Sequence, residues 1–145
     1  NPFCTPALRV LAAAAVTACS LGCPALAHAE NHALIMWIGD YGNPRDDLPG
    51  IDKDAAMARE IAKAMGVPSN NITEVSNASL SKGAIAGALS NLYSRIGQND
   101  KVFIYYSGHG GQRSGMVTGS KCTEGLVSRD PDLFEDFRLQ DALTK

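Results

Sequence analysis

Two short apolar runs, each ended by a glycine, constrain what this chain can fold into. His32 to Ile38 (HALIMWI) is continuously apolar and stops at Gly39-Asp40, as suits a strand buried on both faces of a sheet. Lys101 to Tyr106 (KVFIYY) is dense in β-branched and aromatic residues and leads into Ser107-Gly108. Tyr41 to Gly50, with Gly42, Asn43, Pro44, Pro49 and Gly50, reads as a loop. From Asp52 the pattern turns helical: Ile51, Ala55, Ala58, Ala62 and Met65 recur every three or four residues, Arg59 and Lys63 fall between them, and Gly66 and Pro68 end the run. Asn71 to Val75 predicts a short strand. Asn77 or Ser79 is placed to cap a second helix whose apolar face is Ile85, Leu89, Leu92 and Ile96, with Gly97 closing it. Gly83 and Gly87 cost that helix about 1 kcal/mol each against alanine. A glycine-rich loop is expected over Gly108 to Gly119, and a third helix from Asp136 to Lys145.

Strand, helix, strand, helix, strand is the alternation of an α/β three-layer sandwich with a mainly parallel sheet. Ligands of such sheets bind outside the carboxyl ends of the strands, so Ser107 to Gly111 is expected at that rim. At 145 residues the chain accommodates one domain, and 45% hydrophobic with 19% charged residues excludes disordered and collagen-like classes. A net charge of -2 and the lack of a basic run give nucleic-acid binding no electrostatic support. Asp46, Asp47, Asp52 and Asp54 crowd one stretch; they read either as a solvated loop and helix start, which charge alone favours, or as an acidic pocket for a basic substrate.

Residues 1–29 read as a leader. Arg9 gives a positive start, Val10 to Leu21 is apolar but too short for a stable membrane span, and Ala27-His28-Ala29 is a small-x-small cleavage pattern before Glu30. The expectation is a secretory signal peptide over residues 1–29, a single domain over 30–145, and export to a periplasmic or extracellular space. Val16-Thr17-Ala18-Cys19 is similar to a bacterial lipoprotein box, an alternative in which a lipid on Cys19 anchors the chain. Cleavage after Ala29 leaves Cys122 as the one cysteine of the segment, with no internal disulfide. Asn71 and Asn77 stand in Asn-x-Ser/Thr sequons, relevant only to a eukaryotic secretory pathway.

His109 is the chemically informative residue. It follows a strand at the binding rim and is flanked by glycines: Gly108 lets the chain turn, and Gly110 leaves its N–H unobstructed for a developing oxyanion. Imidazole exchanges protons near neutral pH. Tyr105-Tyr106-Ser107-Gly108-His109-Gly110 resembles the YYSGHG motif of metacaspases and bacterial caspase-family peptidases. His32 to Gly39 resembles the family's first strand, Leu48-Pro49-Gly50 through Asp54-Ala55 its L-x-G-x-x-x-D-A segment, and Thr123 to Asp130 its loop after the histidine.

The resemblance implies a caspase-like fold and a Cys–His dyad that hydrolyses polypeptides through an acyl-enzyme, with His109 as proton carrier and Gly110 N–H at the oxyanion. It implies that Asp54 and Ser107 belong to an acidic primary pocket for Arg or Lys. The nucleophile is expected about 50 residues beyond the histidine, past Lys145, so the chain reads as an incomplete, inactive piece of the peptidase. Cys122, in the expected loop only 13 positions after His109, reads as a non-catalytic thiol. Some metacaspases bind calcium after the histidine; Glu124 and Asp141 fall where ligands could lie, but Gln140 stands where an acid is expected, and the oxygen count is too low to assign a metal. Two other readings stay open: a caspase-like binding or scaffold module without catalysis, and an unrelated α/β hydrolase or nucleotide-binding domain. The second lacks both a G-x-S-x-G elbow and a G-x-x-x-x-G-K-[ST] loop.

Overall fold

The computed structural model describes residues 29–114 and 122–144. The proposed leader therefore lies outside the described residues except for Ala29. Strand β1 is Asn31–Trp37, helix α1 Ile51–Ala64, β2 Ile72–Ser76, α2 Lys82–Arg95 and β3 Lys101–Ser107. Then come β4 (Gly110–Ser114), β5 (Cys122–Val127), β6 (Leu133–Glu135) and α3 (Asp136–Leu143).

The first three strands form a parallel sheet in the order β2-β1-β3. The chain moves to one side of β1 through α1 and back across it through α2. Right-handed crossovers in opposite directions place the two helices on opposite faces. Side-chain alternation records this. Leu34, Met36 and Ile38 pack with Leu80, Ile85, Leu89 and Leu92 on the α2 face, while Ala33 packs with Ala62 and Val67 on the α1 face. Every residue from His32 to Met36 is buried, as a strand covered on both faces requires. Ala55, Ala58 and Ala62, all at zero exposure, let α1 lie close to the sheet, whereas α2 contributes larger side chains, each buried leucine or isoleucine worth about 1.5–3 kcal/mol. Three layers result, as the sequence predicts. Among the described residues no strand pairs with the outer edge of β3.

Beyond His109 the structure corrects the sequence reading. The expected glycine-rich loop begins instead as β4, and Thr123 to Leu126, expected as loop, lies in β5; with β6 these strands make a small antiparallel sheet. The sheet is fastened to the helices through Glu135. Its carboxylate, 5% exposed, accepts from Lys82 Nζ of α2 at 3.3 Å, from Arg138 Nε of α3 at 2.7 Å, and from Arg113 of β4. Burial alone pushes Glu135 up, but its own backbone N–H, Lys82 and Arg138 outweigh this and hold it at about 2.

The cap of α2 is neither Asn77 nor Ser79. Ser81 Oγ accepts from Ala84 N at 3.1 Å. Asn77 is used elsewhere: its Oδ1 receives the N–H groups of Gly39 at 2.9 Å and Asp40 at 3.1 Å, tying down the chain where it leaves β1. The other sequon residue, Asn71, is 4% exposed, and its Nδ2 donates to Glu30 Oε2 at 2.8 Å. Also at the start of β1, Asp100 receives Glu30 N at 2.8 Å through Oδ1 and approaches His32 Nε2 at 3.2 Å through Oδ2.

Candidate active site

β1 and β3 are neighbours, and the chain leaves them toward opposite faces: from β1 to α1, and from β3 to the small sheet and α3 on the α2 face. Such a reversal opens a crevice at the strand ends, where α/β sheets bind ligands. Residues 39–50 after β1 and His109 after β3 border it. A cleft of about 500 Å³ there is lined by Tyr41, Asp46, His109, Gly110, Val127 and Arg129.

His109 is held by backbone as well as side chain. Its Nε2 lies 2.7 Å from the carbonyl oxygen of Asp46. A carbonyl only accepts, so Nε2 carries the proton, and in neutral imidazole the lone pair resides on Nδ1. The Tyr41 ring lies against the imidazole with centroids 4.8 Å apart at 46°. His109 N donates to Tyr41 Oη at 2.7 Å, while Tyr106 Oη donates to the carbonyls of His109 at 3.0 Å and Val127 at 2.8 Å. Burial, then the hydrogen bond and charge of Tyr41, push the Tyr106 phenol far above its usual value, so it stays protonated.

Gly108 serves these hydroxyls. Its φ is not left-handed, so the glycine is not required for a sharp turn. A Cβ there would lie 2.6 Å from Tyr106 Oη and 2.7 Å from Tyr41 Oη. Close approach is the physical need. Gly110 begins β4 opposite Leu126. Val127 N donates to His109 O at 2.9 Å, making that level a hydrogen-bonded one. Antiparallel levels alternate, so the N–H of Gly110 faces away from β5.

Asp54 and Ser107 meet on the α1 face: Ser107 Oγ donates to Asp54 Oδ2 at 2.8 Å. Neither lines the cleft that contains His109. Of the neighbouring acids, Asp52 is exposed and the Asp46 carboxylate accepts from Asn43 Nδ2 at 2.7 Å. Asp47, expected to be solvated, is instead half-buried, with Oδ1 accepting Tyr41 N at 2.8 Å. Cys122, exposed, opens β5 opposite Ser114. Ser114 stands five residue steps from His109 (114 minus 109), about 17 Å along a strand, which is out of proton-transfer reach.

The site residues missed from sequence are Tyr41, Arg129 and the Asp46 carbonyl. Among the described residues no group of three or more His, Cys, Asp or Glu is placed to hold a metal ion, and the buried carboxylate of Glu135 is occupied by three cationic side chains. No described helix is long and apolar enough to cross a membrane.

An α/β sandwich with a glycine-flanked histidine at its strand-end crevice offers a binding cleft beside a proton-transferring group. The profile of the Caspase domain family matches residues 30–145, and the chain belongs to that family of cysteine peptidases, whose substrates are polypeptides. No curated protein matches the chain.

Proposed function

We propose that this chain is the histidine-bearing part of an exported, metacaspase-type cysteine endopeptidase that cleaves after Arg or Lys. The observation that carries the reading is the Asp46 carbonyl on His109 Nε2, because it leaves Nδ1 as the base. The thiol partner in caspase-type chains stands about 50 residues beyond the histidine. In acylation, Nδ1 takes the thiol proton and the thiolate forms a C–S bond to the scissile carbonyl carbon. Its oxygen becomes an oxyanion, to which the outward N–H of Gly110 is suited as donor. As the C–N bond breaks, the imidazolium returns the proton to the leaving amine. Water then attacks the thioester, giving a proton to Nδ1; the C–S bond breaks, the acid leaves, and the proton returns to the thiolate.

Asp54 is the specificity acid of this proposal, its carboxylate oriented by Ser107. Residues 1–29 are the export signal, supported by Arg9, the short apolar run and Ala27-His28-Ala29. The test is the full-length protein assayed on Arg-, Lys- and Asp-ending peptide reporters. Cleavage after Arg or Lys is expected, reduced about 10³-fold by His109→Ala, with Asp54→Asn losing the basic preference. Absence of cleavage from a folded full-length protein would instead make this a non-catalytic caspase-like module.

A further inference from the structure

We propose that Tyr41 is a positioning residue for His109, fixing the imidazole through ring contact and its main chain through a directed chain of hydroxyl hydrogen bonds. The inference rests on the catalytic reading of His109 above, but its geometry stands independently.

Every polar atom of Tyr41 is engaged. Its N–H donates to Asp47 Oδ1 at 2.8 Å, its carbonyl accepts from Arg129 Nη1 at 2.7 Å, and its hydroxyl accepts from His109 N at 2.7 Å. Groups from three segments thus set one residue, two through its main chain and one through its hydroxyl: the loop after β1, the turn after β5, and the histidine loop. Gly42, at φ +76°, keeps the next position open where a Cβ would collide with the Arg129 guanidinium.

The direction of the chain follows from proton counting. A tyrosine hydroxyl has one proton. Tyr41 Oη accepts from His109, so its own proton is free to go to Tyr106 Oη at 3.4 Å. Tyr106 shares its single proton between the carbonyls of Val127 at 2.8 Å and His109 at 3.0 Å, leaving a lone pair for Tyr41. The sequence His109 N–H, Tyr41 O–H, Tyr106 O–H, His109 C=O closes on the residue where it starts. Both main-chain polar groups of His109 are clamped, while the Tyr41 ring and the Asp46 carbonyl restrain the imidazole. A tyrosine that served only as apolar filling would not need its hydroxyl, and this separates the two roles.

The experiment compares wild type with Tyr41→Phe and Tyr41→Leu. In the 145-residue chain, NMR reads the His109 amide exchange and the imidazole nitrogen shifts that report its tautomer. In the full-length protein, kcat and KM are measured. For Tyr41→Phe, His109 amide exchange is expected to accelerate about tenfold and kcat to fall about tenfold with KM held, the scale of one lost hydrogen bond. Tyr41→Leu, which also removes the ring, is expected to mix the two imidazole tautomers. Unchanged exchange, tautomer and kcat in a folded Tyr41→Phe variant would overturn the proposal. Should the wild-type full-length protein show no peptidase activity, the catalytic reading fails while the NMR comparison still decides whether Tyr41 positions His109.

Discussion

The carboxylate of Asp47 accepts the backbone N–H of Tyr41, six residues earlier, at 2.8 Å, so an acid of the loop after β1 sets the residue that lies against His109. Asp47→Ala is expected to lower kcat severalfold while costing about 1 kcal/mol of stability, the scale of one hydrogen bond. Asp52→Ala, at an exposed acid in the first turn of α1, is expected to leave kcat within twofold. Steady-state kinetics with thermal melts of both variants check the contrast.

Gly108→Ala drives a methyl group toward two hydroxyls at once. The expected cost is about 1–3 kcal/mol of stability together with loss of activity. Gly110→Ala is the comparison, because its Cβ finds its nearest neighbour only at 3.9 Å. Its cost in stability is expected to be under about 0.5 kcal/mol. Urea titrations of the two variants measure the difference.

What the sequence made legible was what local patterning controls. β1, α1, α2 and β3 announce themselves through periodicity, and their order places His109 at the rim. The small sheet did not, because Gly110 to Ser114 (GGQRS) has no alternating apolar face and is mostly exposed; its strand character comes from pairing with β5. Asn77 and Ser79 are plausible caps by type, but Asn77 spends its side chain on Gly39 and Asp40, a contact 38 residues away in the chain. The Asp46 carbonyl left no trace at all, since every residue carries one. Asp54 and Ser107 were named through resemblance, and the fold brings them to 2.8 Å.

Glu135 predicts an acid limb in the stability curve. Its carboxyl is held at about 2 against an ordinary 4.5. A depressed acid contributes stability that is complete above its unfolded value and is lost as pH falls toward the folded one. Unfolding free energy is therefore expected to decline between pH 4.5 and about 2, and Glu135→Gln should flatten that decline. Glu135→Ala, which leaves three cations facing one another, is expected to cost about 3 kcal/mol at neutral pH. Denaturant melts across the pH range read both.

Glu30 N donates to Asp100 Oδ1, and the proposed cleavage after Ala29 would convert that amide into an ammonium. The nitrogen already lies 2.8 Å from Asp100 Oδ1, and the backbone N–H groups of Gly97 and Glu30 hold Asp100 below its usual range, so the ammonium would meet an ionised carboxylate at that distance. A chain beginning at Glu30 is expected to melt higher than one retaining Ala29, and Asp100→Asn should abolish the difference. Differential scanning calorimetry of the two lengths, each with and without the substitution, is the check.

Among the described residues no strand pairs with the outer edge of β3, which carries Phe103, Tyr105 and Tyr106, with Lys101 its one charge. Such an edge is a template for any extended chain, including another copy of itself. The 145-residue chain is therefore expected to associate more readily as its concentration rises, because crowding brings another strand within reach of that edge.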